Sequence, residues 1–123
     1  MSREIKNFYD LEAWKKAHKL VLEIYRVTRD FPKEEQFGVV SQLRRAASSI
    51  TANIAEGFER YHFKDKARFY YQARGSLAEA QNFLLLVKDL KFVDMETCRR
   101  LLEDADRARQ LTNGLIRSIE RQK

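Results

Sequence analysis

The sequence predicts an all-α protein, an antiparallel up-down-up-down four-helix bundle, and three observations lead to that prediction. The 123 residues include only one proline and four glycines, and good helix formers such as Lys, Arg, Glu, Ala and Leu dominate. Apolar residues recur at steps of three and four along four segments, as on one face of a helix. The connections between these segments are short, so consecutive helices should pack antiparallel. The length is typical of a single domain covering residues 1–123.

The first helix is predicted from Asp10 to about Asp30. Asp10 is a suitable N-cap, and Pro32 ends the pattern because the residue before a proline is disfavoured in helical conformation. The apolar stripe of this helix is Leu11, Trp14, Ala17, Val21, Ile24 or Tyr25, Thr28 and Phe31.

The second helix is predicted to begin within residues 32–38. Its apolar stripe is nearly a strict heptad, the spacing of left-handed bundle packing: Phe37, Val40, Leu43, Ala47, Ile50, Ile54 and Phe58. A parallel stripe consists of small residues: Ala46, Ser49, Asn53 and Gly57. A glycine inside a helix costs about 1 kcal/mol relative to alanine, so we expect close packing or a local bend at Gly57.

The third helix is predicted over residues 63–90 and the fourth from Asp94, its N-cap, to the basic end of the chain. The third stripe is Ala67, Tyr70, Ala73 or Arg74, Leu77, Ala80, Leu84, Val87 and Leu90. A small patch of Ala73, Gly75, Ser76 and Ala80 should face the small residues of the second helix. The fourth stripe is Cys98, Leu101 or Leu102, Ala105, Ala108, Leu111 or Thr112, Leu115 and Ile119, and the basic end is Arg117, Arg121 and Lys123.

Charge and hydropathy indicate a cytoplasmic protein with a basic centre. No apolar run is long enough to span a bilayer, the first six residues lack the apolar stretch of a signal peptide, and the lone Cys98 has no partner for a disulfide. The formal net charge is +6, of which residues 41–75 carry +4, from seven basic and three acidic side chains. Such an excess favours a polyanionic partner.

Three patterns that could carry catalysis or metal binding have simpler structural interpretations. Glu59 and His62 have the spacing of a di-iron motif, but there is no second copy, and a solvated helix end is the favoured interpretation. Cys98 lies on an apolar stripe and is predicted to be a buried packing residue, not a thiolate nucleophile. Glu56 and Glu79 could meet across the second and third helices, where ion-paired networks with Arg44, Arg45 and Arg74 are favoured over acid–base catalysis. We therefore predict no enzyme activity, cofactor or metal.

Basic and aromatic residues alternate around the start of the third helix. The cations Arg60, Lys64, Lys66, Arg68 and Arg74 lie among Phe58, Tyr61, Phe63, Phe69, Tyr70 and Tyr71. Cations bind phosphates and exposed rings stack on unpaired bases, so this run is a candidate nucleic-acid surface; taken by itself, a solvated or subunit-interface surface is the favoured interpretation. Thirteen Phe and Tyr residues and one Trp are many for one slim bundle, and several lie off the stripes: Phe8, Tyr9, Tyr25 or Ile24, Phe69 and Tyr71. A homo-oligomer would cover them.

Several segments resemble a known family. The segments at residues 10–17, 31–35, 42–50, 53–57 and 73–79 are similar to those of the 23S rRNA intervening-sequence proteins, also called S23 ribosomal proteins. The resemblance implies an antiparallel four-helix bundle, a homopentamer, and a fold shared with the accessory variability protein of diversity-generating retroelements, a basic pentamer that binds nucleic acid and a reverse transcriptase. It implies no catalytic residues. The positions that match, in a structural or a functional role, are Arg44, Arg45, Asn53, Glu56, Gly57, Arg74, Ser76 and Glu79.

These observations predict a non-enzymatic, oligomeric protein that binds RNA or DNA through the basic side of its second and third helices. The candidate binding residues are Arg44, Arg45, Arg60, Lys64, Lys66, Arg68 and Arg74. The alternative is a protein–protein interaction scaffold that meets an acidic protein partner and does not bind nucleic acid directly.

Overall fold

The computed structural model describes residues 4–122, and within this range it contains four long α-helices and no strand. They are α1 (Glu12–Thr28), α2 (Val39–Glu59), α3 (Phe63–Asp89) and α4 (Met95–Glu120). Each helix packs against the next along the chain and α1 packs against α4, so the four helices enclose one main core. The most extensive contact is between α2 and α3. Lys123, predicted as part of the basic end, lies outside the described residues.

The predicted stripes supply most of the core. Fully buried side chains from these stripes include Ile24, Leu43, Ile50, Ile54, Leu77, Leu84, Cys98 and Leu101. In α1 the stripe named Val21, which is half-buried, whereas its neighbour Leu20 is fully buried. Two threonines are also buried, and their hydroxyls donate to carbonyls one turn earlier in their own helices, Thr28 to Ile24 (2.7 Å) and Thr112 to Ala108 (2.8 Å). Their burial therefore leaves no hydroxyl without a partner.

The two predicted aspartate caps have different outcomes. The predicted N-cap at Asp94 is confirmed, because the Asp94 carboxylate accepts the backbone N–H of Thr97 at 2.7 Å. This hydrogen bond and a second one, donated by the Thr97 hydroxyl at 2.9 Å, lower the pKa of Asp94. The prediction for Asp10 is wrong: it ends a short 3-10 turn, and its carboxylate accepts the backbone N–H groups of Lys6 (3.1 Å) and Asn7 (2.9 Å). The Asp10 carboxylate therefore binds to the turn and does not cap α1, which begins after Leu11.

Phe37 is not a core residue, contrary to the heptad pattern. Its side chain is 93% exposed because α2 begins only at Val39, after a 3-10 turn at Lys33–Glu35. Val39 is buried instead, together with the predicted Val40, in a small satellite core with Phe31 and Val87. The prediction also fails at Leu90, which is 48% exposed beyond the end of α3.

The small residues of α2 and α3 form a close, polar seam. The hydroxyls of Ser49 and Ser76 are 2.9 Å apart, and the Asn53 amide donates to the Ser49 carbonyl at 2.9 Å. At Gly57, an added Cβ would lie 2.6 Å from Cε1 of Tyr70, so the predicted close packing is confirmed. Gly75 is different: it is exposed, and an added Cβ would meet no atom within 4 Å. Its predicted place against α2 is wrong.

Lys91 ends α3 in a left-handed conformation, with φ of 65°. The N–H groups of Lys91 and Phe92 donate to the carbonyls of Lys88 and Val87, respectively, both at 3.0 Å. This is the Schellman helix ending, in which glycine is the preferred residue at the left-handed position.

Lys91→Gly is therefore expected to raise the free energy of unfolding by about 1 kcal/mol, measured by urea denaturation. Glu79→Gly, inside α3, is the control and should lower it by about 1 kcal/mol. A destabilised Lys91→Gly would contradict this account.

Candidate nucleic-acid interface

The seven predicted cations occupy three separate places. Arg44 and Arg45 lie early in α2, and Arg74 lies in the middle of α3. The other four surround the connection between α2 and α3: Arg60, Lys64, Lys66 and Arg68. The predicted basic side of the two helices is thus divided, and each part has its own chemistry.

The end of the α2–α3 hairpin presents exposed cations around one aromatic ring. We call Arg60, Tyr61, His62, Lys64, Arg68 and Phe69 the hairpin-end surface; all except the half-buried Phe69 are exposed. The guanidinium carbons of Arg60 and Arg68 lie 4.6 Å and 4.5 Å from the Phe69 ring centroid. Arg60 also pairs with Glu56 at 3.0 Å. These contacts hold both arginines against the surface and leave their other donors available.

Tyr61 is the most exposed ring of this surface. It is 89% exposed, and its closest ring neighbour is His62, edge-on with centroids 5.0 Å apart. Residues 59–68 carry four cations and two carboxylates, Glu59 and Asp65, so the segment has a net charge of +2. A cationic surface with a free aromatic face has the chemistry to bind phosphates and to stack on a base.

Lys66 has a structural position. Its ammonium donates to the carbonyls of Phe58 (2.6 Å) and Gly57 (3.3 Å), at the C-terminal end of α2. A cation there is stabilised by the helix dipole. Desolvation by burial lowers the pKa of Lys66, and the charge of Glu59 opposes that shift. We therefore leave Lys66 out of the hairpin-end surface.

Arg74 lies on the seam between α3 and α4. Its guanidinium carbon is 4.8 Å from the Tyr71 ring centroid, and Nη1 donates to Asn113 Oδ1 at 3.1 Å. The Tyr71 hydroxyl donates to Glu120 at 2.8 Å, and this hydrogen bond raises the pKa of Tyr71. Arg74 thus connects two helices and lies apart from the hairpin-end surface.

Known proteins are similar to this chain in sequence and in fold. Residues 9–114 match the family described as 23S rRNA-intervening sequence protein. The chain belongs to this family. Its structure is similar to that of a protein of unknown function from the S23 ribosomal protein family of Bacteroides thetaiotaomicron, with a TM-score of 0.79 and 20% sequence identity over 85% of this chain and 95% of the other. A search of curated proteins gave no match.

In this member of the 23S rRNA-intervening sequence family, the residues on which the sequence resemblance is based have mainly structural contacts. Asn53 and Ser76 belong to the polar seam, and Gly57 lies against Tyr70. The predicted ion-paired network of Glu56 and Glu79 with Arg44, Arg45 and Arg74 does not form. Glu56 pairs with Arg60 on its own helix, while Arg44 turns to α1 and Arg74 to α4. Glu79 is exposed on α3.

The other candidate chemistries have less support from the geometry. Cys98 is fully buried, as predicted; its thiol donates to the Leu84 carbonyl at 3.4 Å, and burial raises its pKa. Glu59 and His62 are both exposed. Across residues 4–122, no three His, Cys, Asp or Glu side chains lie close enough together to hold a metal ion. None of the helices described here has the length and apolarity needed to cross a membrane.

A groove that the sequence did not predict lies between α1 and the start of α2. It consists of two adjoining cavities of about 390 Å³ and 240 Å³, which share Gln36, Val40 and Arg44 as lining residues. We call it the α1–α2 groove. Arg29 and Lys33 line it as well, but they lie in the segment of residues 1–40 whose net charge is only +1, so charge counting did not single them out.

Proposed function

We propose that this protein is a non-enzymatic, oligomeric four-helix-bundle protein that binds RNA or DNA through the hairpin-end surface. The observation that carries the proposal is that Arg60 and Arg68 both contact the Phe69 ring, next to an almost fully exposed Tyr61. Lys64 adds a further exposed cation. These groups can contact successive phosphates while a base stacks on the free ring.

The proposal takes the bundle as antiparallel, up-down-up-down. Contacts between α2 and α3 support this direction, because Ser49 meets Ser76 while Gly57, later in α2, meets Tyr70, earlier in α3. The short connection of residues 60–62 supports it as well. In this arrangement the hairpin-end surface lies at one end of the molecule, where a long polyanion has open access.

A homo-oligomer, with five copies as the family resemblance implies, is part of the same proposal. Exposed apolar side chains occur around the end of α3 and the start of α4: Leu85, Leu86, Leu90 and Met95. Gly75 also leaves open space on the outer face of α3, which allows another chain to approach closely.

Light scattering at several concentrations should give a mass about five times that of one chain. A monomer at all concentrations would contradict this part of the proposal.

A protein-interaction scaffold is the second candidate function, and a groove on α4 favours it. The cavity measures about 680 Å³ and is lined by Lys88, Met95, Glu96, Cys98, Arg99, Leu102, Glu103, Asp106, Arg107 and Gln110. Met95 is 77% exposed there, and the rim carries both signs of charge. The rim of this groove suits a protein partner whose surface carries charges of both signs. The acidic partner that the sequence predicts would suit the hairpin-end surface instead.

A salt titration separates the two functions. Binding of a labelled RNA hairpin and of a DNA duplex would be followed by fluorescence anisotropy from about 50 to 200 mM salt. Release of counterions from the phosphates predicts that log affinity falls linearly with log salt concentration. Absence of binding to both probes at the lowest salt would contradict nucleic-acid binding and favour the scaffold.

A further inference from the structure

The α1–α2 groove is lined by cations without a carboxylate among them. Arg29, Lys33, Arg44 and Arg45 line its two cavities, together with neutral polar side chains such as Gln36, Ser41 and Ser48. The adjacent carboxylate of Glu35 does not line either cavity; it accepts the backbone N–H of Val39 at 3.5 Å. The groove therefore favours an anion.

Arg44 is held in place before any ligand binds. Its Nε donates to Thr28 Oγ1 at 2.9 Å, and Nη2 donates to the Tyr25 carbonyl at 3.2 Å. Its guanidinium carbon lies 4.5 Å from the Tyr25 ring centroid. These two hydrogen bonds use two of the five N–H groups of an arginine, so others can bind an anion. Because the side chain is already ordered, binding costs little conformational entropy.

Phe37 is an aromatic ring that the fold leaves open. It lines the larger cavity beside Arg44 and Arg45 and is 93% exposed. Tyr25 also lines this cavity, but Arg44 already covers its ring. A flat ligand with a π-face would shield Phe37 from water by stacking on it.

We propose that the α1–α2 groove binds a nucleotide unit, with its phosphate on Arg44 and Arg45 and its base on Phe37. Arginine binds phosphate through paired N–H groups, and the adjacent ring accounts for a base better than for a simple anion. A paired base within a duplex has no free face to offer, so the unit is a free nucleotide or an unpaired residue of a single strand. This inference goes beyond the proposed function, since it concerns other residues than the hairpin-end surface and a single nucleotide unit as the ligand.

Calorimetric titration of the intact protein tests the proposal. The probes are adenosine 5′-monophosphate, adenosine, inorganic phosphate and a five-residue oligoadenylate. We expect the monophosphate to bind at least about tenfold more tightly than adenosine or phosphate alone, because base and phosphate contribute together. Preference for the oligonucleotide over the monophosphate would support the site and assign it to single strands; equal affinity would support it and assign it to free nucleotides.

Variants of exposed residues locate the binding. Phe37→Ala and Arg45→Ala should each weaken binding of the monophosphate at least about fivefold while the thermal melting temperature stays unchanged. Tyr9→Ala is the control, since Tyr9 is an exposed ring that belongs neither to the α1–α2 groove nor to the hairpin-end surface, and it should leave this affinity unchanged. The proposal is overturned if the wild-type protein binds neither the monophosphate nor the oligonucleotide. It is also overturned if phosphate binds as tightly as the monophosphate, or if Phe37→Ala and Arg45→Ala bind like wild type.

Discussion

Replacing Arg60, Lys64 and Arg68 together by alanine is expected to weaken binding of duplex DNA by roughly 10²- to 10³-fold at about 100 mM salt. Each cation that contacts a phosphate releases a counterion, so losing three should reduce the slope of log affinity against log salt by about 2 to 3. All three side chains are exposed and none belongs to the core. The variant should therefore unfold at nearly the wild-type temperature.

A matched variant distinguishes a local site from net charge. Arg100, Arg107 and Arg117 are exposed on α4, and replacing them by alanine removes the same total charge. If the hairpin-end surface binds the duplex, this control variant keeps most of the affinity and of the salt slope. Equal losses in the two variants would mean that the whole molecule attracts the polyanion, and would argue against the hairpin-end surface.

The helical pattern predicted the core but not the details at helix ends. Leu43, Ile50, Leu77 and Leu84 recur at helical spacing and are buried as expected. A terminus depends instead on which backbone N–H groups its polar residue can reach. Asp94 reaches forward to Thr97, whereas the carboxylate of Asp10 reaches back to the turn before it. Both residues look like N-caps in the sequence.

Charge counting likewise found the basic segment but not the division within it. Lys64 and Lys66 are two residues apart on α3, so they point in different directions around the helix. Lys64 is exposed, whereas the ammonium of Lys66 is bound to carbonyls at the end of α2. Arg44 and Arg45 differ in the same way, since only Arg44 reaches α1. A count of charges along the chain does not show which groups each cation contacts in the fold.

Gly57→Ala is expected to lower the free energy of unfolding by about 1 to 3 kcal/mol, the usual cost of overpacking. The added Cβ would lie 2.6 Å and 2.8 Å from two carbons of the Tyr70 ring and 3.2 Å from the Lys66 carbonyl oxygen. Tyr70 is only 3% exposed, so its ring has little room to move. Urea denaturation measures the change. In a Tyr70→Leu background the cost should fall, because the ring that blocks the new methyl group is gone.

Gly75→Ala should have the opposite sign and raise the free energy of unfolding of a single chain by about 1 kcal/mol, since alanine is the better helix former and no atom lies within 4 Å of the added Cβ. The two glycines look alike in the sequence, each inside a long helix near small residues, and only their neighbours decide the sign. If copies of the chain pack closely over Gly75, the same methyl group should also weaken the oligomer. Unfolding at low concentration and light scattering at high concentration measure the two effects separately. A destabilised single chain would contradict the open surface at Gly75, and an unchanged oligomer would mean that copies do not meet closely there.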